Sequence, residues 1–109
     1  MAGGNGLYLH VTLKVRPGKI NEFCELMPIL VSAAEQNGWK LLAAWCNLIG
    51  RLNVVVDLWK VPDANSVPAQ FAQLMLLSDW PQLEQRLAAC VEDEVLQLMG
   101  RLPYDPDRV

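Results

Sequence analysis

Two residues of this chain are of the right type to move a proton near neutral pH, His10 and Asp57. His10 is the single imidazole, and an imidazole titrates near neutrality without any shift. Asp57 is out of place: it interrupts Val54-Val55-Val56-Asp57-Leu58-Trp59, an otherwise apolar, β-branched and aromatic run. A carboxylate in such a run is costly unless paired, and unpaired it tends to keep its proton. If the two shared one face of a sheet, Asp57 would orient the His10 ring and raise its pKa, the arrangement of a general base. The commoner use of such a pair is structural, a hydrogen bond at a subunit seam. An arginine from a second subunit is the other partner that would neutralise Asp57.

The remaining candidates are aromatic. Tyr8 lies beside His10 on the polar side of an alternating segment, and Trp39, Trp45, Trp59 and Trp80 are many indoles for a short chain. Aromatic walls suit a flat apolar ligand, and an indole N–H can orient one polar atom. Trp45 and Trp59 sit where a pocket or barrel wall is expected, with core packing an equal alternative. Trp39 and Trp80, at helix boundaries, read as plugs or lid residues. Tyr8, His10, Asp57, Trp59 and Trp80 therefore form the candidate ligand-binding set, with His10 and Asp57 the candidates for catalysis. Tyr104 either docks on a neighbouring subunit, covers a pocket or belongs to a free end.

Other chemistry finds little footing. Cys24, Cys46 and Cys90 are an odd number, far apart, and read as buried thiols. With one His, a zinc site is not expected, and Glu92-Asp93-Glu94 reads as a solvated helix end. No phosphate-cradling glycine loop and no nucleophile elbow occur, so no cofactor is expected. The net charge of −3 and singly scattered basic residues speak against nucleic-acid binding. No apolar run approaches the roughly 20 residues that span a bilayer, and MAGGNG does not resemble a signal peptide. A cytoplasmic location is the default expectation.

The elements that would position these residues are legible. The 109 residues suffice for one domain, expected over 7–103, with a flexible start at 1–6 and a tail at 104–109. A composition of 52% hydrophobic residues implies apolar surface hidden by an oligomer or a ligand. Leu7 to Val15 alternates as a strand with one apolar face. Lys19 to Asn37 has helical spacing, with Ile20, Phe23, Cys24, Met27, Leu30, Val31 and Ala34 inward, Pro28 inside and Gly38 closing it. Leu41 to Lys60 is a hairpin about Gly50-Arg51. With an even loop, Ala43, Trp45 and Asn47 share a face with Val54, Val56 and Leu58, while Ala44 and Cys46 share the other with Val55, Asp57 and Trp59; an odd loop reverses this. The second hairpin strand is apolar on both faces, which predicts cover from the chain's helices on one side and a partner subunit on the other. Ser66 is expected to cap a short helix with Phe71, Leu74, Met75 and Leu77 inward. Asp79 starts a second helix with Gln82 in a capping box and Leu83, Leu87, Cys90 and Val91 buried. Val95 to Leu102 is expected as a last strand. The order β-α-β-β-α-β predicts an α+β, ferredoxin-like fold with a four-stranded antiparallel sheet.

RPGKINEF after the first strand, WCNLIGRLNVVVDLWKVPD across the hairpin, LLSDWPQL and GRLPYDP resemble the NIPSNAP-type family, from Leu7 to about Pro106. That family is part of the dimeric α/β-barrel group. The resemblance implies a homodimer whose two sheets close into a barrel, with a pocket between each sheet and its helices. The wider group contains cofactor-free oxygenases, isomerases and polyketide cyclases. Some short relatives accompany biosynthesis of pigments and antibiotics, such as prodigiosin-type compounds. Where the family pattern usually has His before Leu-Trp, this chain has Asp57, so no mechanism carries over. The expected function is a homodimeric accessory protein binding an apolar, aromatic metabolite in secondary metabolism or aromatic breakdown. The alternative is a cofactor-independent monooxygenase or isomerase/cyclase using His10 and Asp57.

Overall fold

Alternation makes Leu7–Val15 strand β1, with Leu9, Val11, Leu13 and Val15 buried on one face. The computed structural model describes residues 6–106. Of the start expected to be flexible, all but Gly6 lies outside the described residues, as does 107–109 of the tail. After β1 come α1 (Ile20–Gln36), β2 (Lys40–Cys46), β3 (Val54–Val61), α2 (Ser66–Leu74), α3 (Trp80–Cys90) and β4 (Val91–Gly100). The strands form one antiparallel sheet in the order β2-β3-β1-β4, the expected ferredoxin-like layout. Sheet and helices make two layers in a body 17 Å thick, and the core lies between them.

Helix α1 buries Phe23, Leu26 and Ala34, with Met27 and Leu30 half-buried beside them, a stripe at three- and four-residue spacing. Leu26, absent from the expected stripe, is among its most buried members, and Cys24 is turned out. Gly38 follows the helix with φ +94°, a left-handed conformation that favours glycine. In the hairpin, the Asn47 N–H donates to the Val54 carbonyl, so the closing loop is even and Trp45 faces with Val56, Ala44 with Asp57. A register shift between Leu41 and Ala43 then brings Leu41 opposite Trp59.

Six expectations are corrected. Cys24 and Cys46 are exposed and only Cys90 is buried; Cys46 ends an edge strand that the helices leave uncovered. Asn65, not Ser66, is the N-cap of α2, and the Asp63 carboxylate accepts the Ser66 N–H at 2.9 Å. On α2 the buried residues are Gln70 and Leu74, while Phe71 and Met75 are exposed. Asp79 caps α3 without a side-chain hydrogen bond, so no capping box forms, and β4 begins directly after Cys90. The Cys90 carbonyl accepts the Arg16 N–H at 2.7 Å, and Val91 is already extended. Glu92-Asp93-Glu94 therefore lies on a strand rather than at a helix end.

Candidate functional site

The β1–β3 register sets Val11 opposite Asp57 and His10 opposite Leu58. Directly opposed residues share a face and successive ones alternate, so His10 and Asp57 lie on opposite faces of the sheet. The Asp57–His10 pair does not form within one chain. Asp57 belongs to the face under the helices, and His10 to the open face.

Under the helices the core is incomplete. A cavity of about 370 Å³ opens between the sheet and α1, α2 and α3. β1 and β3 supply Leu9, Val11, Leu13, Asp57 and Trp59 to its floor, and α1 supplies Phe23, Met27 and Leu30 to one wall. Gln70 and Phe71 come from α2, Trp80, Glu84 and Leu87 from α3, and Glu94 and Leu96 from β4. Trp39 and Trp59 meet edge to face at 5.4 Å and 63°, which stiffens the aromatic end of the cavity.

The polar groups of this cavity are few, and those of Gln70 and Trp39 are unpartnered. Asp57 is only 4% exposed, and burial, helped by the nearby Glu94 charge, pushes its carboxyl up to about 6. Burial also raises Glu94, whose alternation with Val95 turns it toward the same side. Gln70 is 3% exposed, and neither its Oε1 nor its Nε2 has a hydrogen-bond partner. The buried Trp39 Nε1 is likewise without one. Leaving a buried amide unpaired costs about 1–3 kcal/mol, so such groups mark places where something else can bind. A second cavity, about 470 Å³, lies between α1 and the β2 side, with Cys24, Cys46 and Leu41 in its lining. Phe23, Met27 and Asp57 line both. A carboxyl that titrates near 6 in an apolar enclosure can hold, give or take a proton, and the Gln70 amide can orient a polar atom.

The open face is built differently. Arg101 donates to the Tyr8 hydroxyl from Nε at 3.0 Å and from Nη2, stacks over the Tyr8 ring at 4.6 Å, and pairs with Asp105 at 3.0 Å. Tyr8 thereby holds the end of β4. His10 is half-buried beside it, and its Nδ1 is buried without a partner. Trp45, opposite Val56 on this face, is 56% exposed, and Tyr104 is 82% exposed. Of the expected ligand-binding set, Asp57, Trp59 and Trp80 meet at one cavity, while Tyr8 and His10 do not. Trp39, Gln70 and Glu94 were not in that set. Gln70 carried one usable signal: it lies one turn before Leu74, on the buried stripe of α2. Among the described residues, no group of three or more His, Cys, Asp or Glu side chains could hold a metal, and no helix is long and apolar enough to cross a membrane.

The sequence profile of the NIPSNAP family matches residues 8–105. No curated protein matches the sequence. Among solved structures, a NIPSNAP domain protein from Burkholderia xenovorans is 24% identical, with a TM-score of 0.75 over 93% of this chain and 99% of its own. A NIPSNAP family protein of unknown function from Agrobacterium tumefaciens has a TM-score of 0.79 at 16% identity, over 94% of each chain. An antibiotic biosynthesis monooxygenase shares the fold at 18% identity and a TM-score of 0.62, over 89% of this chain and 99% of its own.

Proposed function

This chain belongs to the NIPSNAP family, and we propose that it binds a small, largely apolar, aromatic molecule between its sheet and helices. One observation carries the reading: the buried Gln70 amide, unpartnered at both atoms, lines the same apolar cavity as the raised Asp57 carboxyl. In this reading the protein is a homodimeric accessory protein of secondary metabolism or aromatic breakdown. Exposed Trp45, Val95 and Met99 on the open side of the sheet support a second copy there. The fold shared with an antibiotic biosynthesis monooxygenase supports the metabolic setting at the level of fold alone. A prodigiosin-type pathway has no support among the relatives and is not part of the proposal.

Native mass spectrometry of protein purified gently from its own host tests this. The expected species is a dimer carrying extra mass that Asp57→Leu loses. The reading falls if the protein is bare and 2-naphthylmethanol, added as a neutral aromatic probe, also fails to bind.

A second reading, a cofactor-independent oxygenase or isomerase/cyclase, draws on the Asp57 carboxyl near 6, which suits a general acid or base. His10 has no part in it within one chain, since it occupies the other face. An activity whose pH profile turns near 6 and flattens in Asp57→Asn would support this reading; an unchanged profile would remove it.

A further inference from the structure

The charged groups around the main cavity have one sign. Asp57, Glu84 and Glu94 contribute carboxylates from β3, α3 and β4, and among the described residues no Lys, Arg or His lines it. Arg86 and Lys19 lie outside this lining and both meet Glu22 on α1, at 3.5 and 4.0 Å. The rest of the wall is aromatic and aliphatic, with Phe23, Trp39, Trp59, Phe71 and Trp80 supplying ring faces and edges. An anionic ligand would meet repulsion and lose its hydration for nothing in return. A cation would gain from the carboxylates and from the aromatic faces together. Gln70 adds an independent sign of a ligand, because its buried Oε1 lacks a donor and its Nε2 lacks an acceptor in the same enclosure.

We propose that the cavity selects a lipophilic cation, a molecule with an aromatic body and a protonated amine or nitrogen heterocycle, its N–H directed to Asp57 and Glu94 and its flank held by Gln70. This rests on the reading that the cavity binds small molecules, and names the class. Asp57 is the deep anchor, being buried on the floor, while Glu84 and Glu94 stand at more exposed positions and draw the cation in. A neutral aromatic of the same size fits the walls but leaves Asp57 uncompensated. An aromatic acid adds a further negative charge beside it.

The test compares three probes of one shape, 2-naphthylmethylamine, 2-naphthylmethanol and 2-naphthoate, by titration calorimetry on the intact protein at about pH 7.5, where the amine is cationic and the acid anionic. The expected order is amine first, at least about tenfold tighter than the alcohol, and the acid last. Asp57→Asn and Glu94→Gln each reduce amine affinity several-fold more than they reduce alcohol affinity. Equal affinities for amine and alcohol overturn the proposal while the cavity reading stands. A preference for the acid overturns it too. No binding by any of the three overturns both readings together.

Discussion

The two faces of the sheet treat their polar side chains in opposite ways. On the open face Tyr8 is tied down: Arg101 donates to its hydroxyl, stacks on its ring and pairs with Asp105. On the covered face Asp57 and Gln70 are more deeply buried, and both polar atoms of the Gln70 amide lack a partner. A satisfied network in half-exposed surroundings is a structural clasp, and it costs the fold little. Unsatisfied groups in an apolar enclosure are a standing liability, one that a ligand would relieve. Tyr8's clasp holds the chain's end, whereas the proposed site rests on polarity hidden among Leu, Phe and Trp; on the open face His10 Nδ1 is also buried without a partner.

The largest effect that separates the faces is on binding. Asp57→Leu should abolish binding of 2-naphthylmethylamine and keep or increase stability, whereas His10→Ala should leave its binding within about twofold. Calorimetric titration beside a thermal melt reads both, and a loss of binding in His10→Ala would erase the distinction. Stability against pH comes next. The Asp57 carboxyl rises on folding from 3.8 to about 6, so the native state holds more protons than the unfolded chain between those values. Stability should then fall as pH rises from about 4 to about 6, and the deficit should be full above that, about 2–3 kcal/mol at most. Asp57→Asn should flatten this stretch of the curve and raise stability near neutrality, read by urea unfolding at several pH values. A smaller gain, about 1 kcal/mol, should come from Gln70→Leu, with probe affinity down about tenfold. Tyr8→Phe should show the least: unchanged probe affinity and a marginally lower melting temperature. If it weakened binding as much as Gln70→Leu, the two faces would be coupled.

Much of the fold was legible because it depends on local pattern. The alternation of Leu7–Val15, the stripe of α1 and Gly38 after it each needed only a short window of residues. The site was less so. Whether His10 and Asp57 share a face depends on the register between two distant strands, and one step of slip inverts the answer. Gln70 escaped because a polar residue on an amphipathic helix reads as solvent-facing, although its place one turn before Leu74 puts it on the buried stripe. Glu94 was hidden by the missing loop before β4: the helical pattern runs into the strand with no turn residue to mark the change, so three carboxylates that alternate across a strand looked like a frayed helix end. Cys24 and Cys46 mislead in the same way, since apolar sequence neighbours do not guarantee cover at an edge.

The seamless joint from α3 into β4 makes chain length itself informative. Cys90 is held by the Arg16 N–H, so the helix end has a fixed address, and Val91 leaves it already extended. Adding or removing one residue between them could not be absorbed in a loop. It would have to change the bulge at Glu92, where Val15 faces Val91 and Lys14 faces Asp93, or else turn the start of β4 over, exchanging the outward Asp93 for the inward Glu94. A homologue with a length change at this point therefore has either a different bulge or its charge on the other side of the sheet.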